Sequence, residues 1–336
     1  MLRLLAGLSA LALVATPACH AAAPSRPAPA PRAELNLSGN ESPGRILDKE
    51  YVLPTERTLR YFASKGFNIF RLPMNWDRLQ PTAGGPLDEA KLKELDALLA
   101  RGDALHLRFI PDLHEYGRKD GHALGSKELP TQALAAFWKP FAARYKGRFA
   151  GYDLMNEPHD MPSPQAWPTA AQQAVDAIRA VDRTTSIYVE GDNWSGAGRW
   201  KDSNGALAIH DPAKRLIYSA HVYFDANTSG QYTESFDKNG VAVEIGVQRI
   251  APFVAWLREH GYKGHIGEFG VPKSDPKWLP VLDTFLNAVA KDGDVLTGWA
   301  YWTGGDWLDR YDLSVQPAKG NNWVDRPQLA VITKKR

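Results

Sequence analysis

Two glutamates in this chain sit where a carboxylate is costly unless it has a purpose. Glu157 lies in residues 151–160, Gly-Tyr-Asp-Leu-Met-Asn-Glu-Pro-His-Asp, where the short apolar run 152–155 ends in Asn156-Glu157-Pro158. A run of that length suits a buried strand. The residue before a proline avoids the helical region, so Glu157 falls where strand gives way to loop. A carboxylate there must be paired, hydrogen-bonded or protonated, which makes it a candidate acid. A strand-end glutamate can also simply cap the next helix. Glu268 stands in Ile266-Gly267-Glu268-Phe269-Gly270, flanked by glycines that let other groups approach its backbone closely. Two carboxylates facing each other across a cleft are what glycosidic bond cleavage needs. One donates a proton to the leaving oxygen, and the other attacks or stabilises an oxocarbenium-like centre.

The elements that would position these groups alternate regularly. Strands are expected at 35–37, 68–72, 105–110, 152–155, 186–189, 216–220, 264–266 and 296–301. Helices are expected at 55–65, 88–100, 131–145, 164–181, 247–260 and 277–291. Helix 131–145 carries Leu134, Phe137, Trp138, Phe141 and Tyr145 at helical spacing. Between the fifth and sixth strands the helix is poorly marked, and 196–209 reads as loop with one turn of helix. Eight strand–helix alternations in one undivided stretch imply an α/β fold, a single-domain (β/α)8 barrel. A doubly wound sheet is the alternative, but no Gly-rich turn follows the first strand.

A barrel of this kind holds its active site at the C-terminal strand ends. Those ends carry Arg71 after strand two and the run Asp112-Leu113-His114-Glu115-Tyr116 after strand three. Asn156 and Glu157 follow strand four, and Glu190 then Trp194 follow strand five. His221 and Tyr223 follow strand six, Glu268 follows strand seven, and Trp302 follows strand eight. If strands four and seven lie opposite, Glu157 and Glu268 face each other across the mouth. Arg71 and Tyr223 are placed to hydrogen-bond Glu268, and Arg71 to keep it ionised. Asn156 is placed to meet a sugar 2-hydroxyl. Trp302, Trp194 and Trp76 offer flat faces to sugar rings, although a buried tryptophan is more often packing.

Other chemistries find little support. The nine histidines form no His-Glu-x-x-His, and His114 and His122 lack a carboxylate at ligand spacing, so no metal site is expected. No Gly-x-Ser-x-Gly elbow exists for a serine hydrolase. The 40 Lys and Arg residues nearly balance the 38 Asp and Glu residues, which gives no case for nucleic acid or a membrane surface.

The N-terminus reads as a targeting segment. Arg3 is followed by an apolar run to Val14 and by the small residues Ala21-Ala22-Ala23. This is the pattern of a signal peptide over 1–23, with secretion to a periplasmic or extracellular space after cleavage near Ala23. The one cysteine, Cys19, leaves with it, so no disulfide framework is expected. Cys19 as a lipidation site is the weaker reading, because Thr16-Pro17-Ala18 lacks the leucine expected there. Residues 24–33 form a proline-rich tether, and 34–330 the catalytic domain.

Six motifs in order carry a resemblance. They are Phe70-Arg71-Leu72-Pro73, Asp112-Leu113-His114, Asn156-Glu157-Pro158-His159-Asp160, His221-Val222-Tyr223, Gly267-Glu268-Phe269-Gly270 and Tyr301-Trp302. Across 36–307 the chain resembles glycoside hydrolase family 5, in particular its bacterial endo-β-1,4-glucanases (cellulases). The resemblance implies that Glu157 is the acid/base and Glu268 the nucleophile of a retaining enzyme. It implies further that Arg71, His114, Asn156, His221, Tyr223 and Trp302 line the subsite beside the scissile bond. No cofactor or catalytic metal is implied. The expected partner is a β-glucan polysaccharide, met by a monomer. Glu115 departs from the asparagine usual there, which puts a sugar contact or the charge near Glu157 in question. Another β-glycan substrate (mannan, mixed-linkage glucan) and a non-catalytic glycan-binding module are the rival readings.

Overall fold

The protein is described here by a computed structural model covering residues 29–318, 320 and 323–335. The expected signal peptide, Cys19 and most of the tether lie outside the described residues.

Eight parallel strands close on themselves. They are β1 (Arg32–Leu37), β2 (Ile69–Met74), β3 (Arg108–Leu113), β4 (Gly151–Asp153), β5 (Ser186–Glu190), β6 (Leu216–His221), β7 (Gly264–Glu268) and β8 (Leu296–Gly304). Each pairs with its sequence neighbours, and β8 pairs with β1 to complete the barrel. Around it run α1 (Glu56–Ser64), α2 (Glu89–Ala104), α3 (Gln132–Tyr145), α4 (Ala166–Arg179), α5 (Trp200–Asn204), α6 (Ile245–His260), α7 (Leu279–Lys291) and α8 (Pro327–Ile332). The fold is the expected (β/α)8 barrel, a single domain.

Local chemistry explains the element ends. Thr55 caps α1 by accepting from Thr58 N–H, and Asp88 caps α2 by accepting from the N–H groups of Ala90 and Lys91. Gly261 ends α6 at φ +67°, in the left-handed region. The stripe on α3 is buried as expected, and Trp138 Nε1 donates to Leu154 O at 3.0 Å. That bond anchors the chain two residues before Asn156.

Several boundaries differ from expectation. The expected third strand, 105–110, begins later than its apolar run, because α2 runs to Ala104 and Leu107 N–H turns back to Gly102 O at 2.9 Å. Leu105 and Leu107 therefore pack the helix end, and β3 begins at Arg108. Asp112 is thus inside a strand. The seventh strand extends to Glu268 and the eighth past Trp302. Where the helix was poorly marked, a 3-10 turn (Ala197–Arg199) leads into the short α5.

The barrel interior is unusually polar. Below the mouth, His265 stands 3.1 Å from Glu34 and 3.3 Å from Ser219, while Arg32 donates to Tyr188 at 2.8 Å. Ser219, His265 and Glu34 form the order of a hydrolase triad, but all three are buried and serve as a packed polar layer.

Replacing a buried aromatic on α3 tests this arrangement. Trp138→Ala should cost about 3–5 kcal/mol in urea unfolding, by cavity formation and loss of the bond to Leu154. A loss below about 1 kcal/mol would contradict the packing described.

Candidate active site

The site is assembled around Arg71, which is fully buried on β2. Its guanidinium touches four carboxylates: Asp112 at 3.0 Å, Asp153 at 2.7 Å, Glu190 at 2.9 Å and Glu268 at 2.9 Å. It also donates to Asn36 Oδ1 at 3.1 Å and Asn156 Oδ1 at 2.9 Å. A side chain with five donors in one plane suits such a hub better than a lysine does. Asn36, on β1, and Glu190, on β5, had no role from sequence. Their sites beside strand ends were legible, but their contacts depend on barrel closure.

Glu268 ends β7. Its carboxylate accepts from Arg71 on one oxygen and from Tyr223 Oη, at 2.8 Å, on the other. Glu157 follows β4 at φ +43°, a strained setting for a residue with a side chain. Its N–H donates to Glu190 Oε2 at 2.7 Å, and its Oε1 lies 2.7 Å from His221 Nδ1. The other ring nitrogen of His221 is 3.0 Å from Glu190 Oε1. One oxygen each of Glu157 and Glu268 and one nitrogen of His221 all lie within 4.8 Å of one another. The expected pair therefore does meet across the mouth. The same three groups are the one metal-compatible cluster among the described residues. Glu268 is already engaged by Arg71 and Tyr223 and Glu157 by His221, and the Arg71 cation on Glu268 disfavours a second cation there.

Electrostatics follow from burial and neighbours. Burial works against charge on Glu190, but His221, Arg71 and the Glu157 N–H outweigh it and hold its carboxyl below the usual range. Burial pushes the Asp153 carboxyl well up, with Arg71 opposing. The Glu268 carboxyl is also raised by burial, a rise that His221 and Arg71 restrain. Arg71 is expected to keep Glu268 ionised, but burial of the carboxyl outweighs it. Burial would lower His114, yet Asp112, 2.7 Å from its Nδ1, lifts it to about 9. His221 is raised well above its ordinary value despite burial, chiefly by Glu190 and Glu268.

A cleft of about 990 Å³ opens over these groups and is lined by His114, Tyr116, Asn156, Trp194, Tyr223 and Trp302 among others. Trp302 stacks on His114 with centroids 5.4 Å apart, and Trp194 on His159 at 4.4 Å. Trp194 is 46% exposed, so its free face is open to the cleft. Asn156 Nδ2 is buried and has no hydrogen-bond partner among the described residues.

Trp76 is a correction. It was expected to offer a face to sugar, but it is 0% exposed, stands edge-on to Phe137 and donates through Nε1 to Gln80. It is core. Glu115 likewise turns from the cleft, accepting from Asn75 Nδ2 and from Trp76 N–H. Burial and the nearby Asp77 push its carboxyl up to about 7.

Comparison with known proteins follows this geometry. The family described as Cellulase (glycosyl hydrolase family 5) matches residues 29–305. Probable endo-beta-1,4-glucanase B of Neosartorya fischeri is 31% identical over 312 residues, covering 88% of this chain and 91% of its own. The endoglucanase Cel5A of Pseudomonas stutzeri, solved with cellobiose, superposes with a TM-score of 0.83 at 37% identity, covering 90% of this chain and 92% of that one. XacCel5A, solved with cellopentaose, gives a TM-score of 0.84 at 34% identity, with 91% and 99% covered.

The His114–Asp112 pair carries a pH prediction. His114 gains a proton on folding, because its value rises from 6.5 to about 9. The stability it adds is full below 6.5 and is lost as pH rises through about 9. Wild type should therefore lose roughly 2–3 kcal/mol relative to His114→Gln between those limits in urea unfolding. Parallel pH profiles for the two proteins would contradict the assignment.

Proposed function

The chain belongs to glycosyl hydrolase family 5, and on that premise we propose that it is a secreted endo-β-1,4-glucanase working by retaining double displacement. The observation that carries this reading is the Glu157–Glu268 pair, with oxygens within 4.8 Å at the C-terminal mouth of the barrel. Retaining glycosidases hold their two carboxyl groups roughly 5–5.5 Å apart, because no water need fit between nucleophile and sugar.

The two environments divide the labour. Glu268, oriented through both oxygens by Arg71 and Tyr223, attacks the anomeric carbon. Glu157, with its side chain 15% exposed at the edge of the cleft, protonates the departing glycosidic oxygen. The glycosyl–Glu268 ester then forms, and the leaving chain diffuses away. Glu157, now a carboxylate, takes a proton from water, which displaces Glu268 and restores both groups. Asn156 Nδ2, without a protein partner, is aimed at the sugar 2-hydroxyl. The Trp302–His114 and Trp194–His159 stacks supply flat platforms for pyranose rings on either side.

The substrate is a β-1,4-glucan, bound as a soluble or amorphous polymer by a monomer. The similar Pseudomonas stutzeri Cel5A and XacCel5A structures are complexes with cellobiose and cellopentaose, which supports this choice. Glu115 gives no reason to change it, since its carboxylate is tied to Asn75 and Trp76. The N-terminal leader pattern supports export, with cleavage near Ala23. Among the described residues no helix is long and apolar enough to cross a membrane.

Glu157→Gln should lower kcat on β-1,4-glucan by about 10²–10⁴-fold, and Glu268→Gln by at least as much, with both variants still folded by circular dichroism. Wild-type-like rates from either variant would overturn the roles. Proton NMR of early products should show the β-anomer first; initial α-anomer would refute retention. On a panel of soluble glycans, reducing-end release should be fastest on β-1,4-glucan, and a preference for mannan would redirect the substrate assignment.

A further inference from the structure

Glu190 belongs to neither of the two chemical roles, yet it touches both groups that define the acid. It is the last residue of β5, fully buried, and β5 lies between β4 and β6 in the barrel. Glu157 lies four residues beyond the end of β4, and the last residue of β6 is His221. A glutamate ending the middle strand can reach both flanking strand ends at once. Its Oε2 accepts from the Glu157 N–H at 2.7 Å. Its Oε1 lies 3.0 Å from His221 Nε2 and 2.9 Å from Arg71 Nη2. Its own carbonyl accepts from Trp167 Nε1 at 2.8 Å, which ties the strand end to α4.

Each contact constrains Glu157 in a different way. The bond to its N–H holds the backbone at φ +43°, a conformation that a residue with a side chain does not adopt without support. The Glu190 carboxylate, 3.0 Å from His221 Nε2, favours positive charge on the ring, whose Nδ1 lies 2.7 Å from Glu157 Oε1. Glu157 is thus fixed from its main chain and from its carboxyl by one carboxylate that never meets the sugar. Arg71 depends on Glu190 much less, because Asp112, Asp153 and Glu268 hold it as well.

We infer that Glu190 is a positioning residue for the proton-transfer half of the reaction, setting the backbone and the histidine partner of Glu157, and that the nucleophilic half runs without it. The inference rests on the glycosidase reading above. A glutamine at 190 presents one oxygen and one NH2. Whichever way the amide turns, a donor meets a donor, either at Glu157 N–H or at His221 and Arg71.

The test compares aryl β-cellobiosides that differ in leaving group. A dinitrophenolate departs without protonation, whereas a phenolate with a high pKa needs the acid. Glu190→Gln should lower kcat/KM on the poor leaving group by about 10²-fold and on the dinitrophenyl substrate by no more than roughly threefold. Equal losses on both substrates, or no loss on either, would overturn the inference. Should the variant not fold, 15N NMR of histidine-labelled wild type reads the same contact. His221 Nε2 should carry its proton in the free enzyme at neutral pH, and an unprotonated Nε2 would overturn the proposal. Wild-type inertness toward both substrates would overturn the glycosidase reading itself, and this inference with it.

Discussion

One buried cation sets the terms for everything above it. Arg71 is sealed inside the barrel, and a guanidinium cannot shed its charge there. It must be compensated, and four carboxylates from β3, β4, β5 and β7 converge on it. Taking such charges from water is costly, and removing one partner of a buried ion pair typically costs about 3–5 kcal/mol. Closure of the barrel and geometry of the site are therefore one constraint. The strands can only end where their acids meet the same guanidinium.

That constraint separates two carboxylates that would otherwise be alike. Glu268 is held by Arg71 and Tyr223, deep and with both oxygens engaged. Glu157 lies one shell outward, engaged by His221 and pinned through its N–H. Under the proposed mechanism the inner group is held for attack along one line, and the outer for exchanging a proton with solvent or a leaving oxygen. Histidines on either flank, His114 lifted by Asp112 and His221 lifted by Glu190 and Glu268, add positive charge beside the acids. The positive charge of Arg71 and the two histidines thus offsets much of the negative charge of the acids.

Much of this was legible in the chain because the barrel repeats a simple pattern. Alternating apolar runs and amphipathic stretches located all eight strands, and polar residues just beyond them marked the mouth. Errors arose where local pattern competes with tertiary packing. Leu105 and Leu107 look like strand residues but close the end of α2. Trp76 looks like a sugar platform, yet it opens a short helix (Trp76–Leu79) that turns it into the core against Phe137. Glu115 looks like an altered contact to sugar, but it completes the cap of that same short helix. Glu190 stood at the mouth by strand count alone, since its importance comes from contacts to a main-chain N–H and to the His221 ring that residue types do not reveal.

The central claim is that Glu268, gripped by Arg71, forms the covalent bond to sugar while Glu157 does not. Trapping with a 2-fluoro-cellobioside that has a good leaving group addresses it most directly, because the slowed intermediate survives proteolysis and mass spectrometry. A single added glycosyl group is expected on the peptide bearing Glu268, formed as activity is lost. An adduct on the Glu157 peptide, or full turnover of the reagent with no adduct at all, would contradict it.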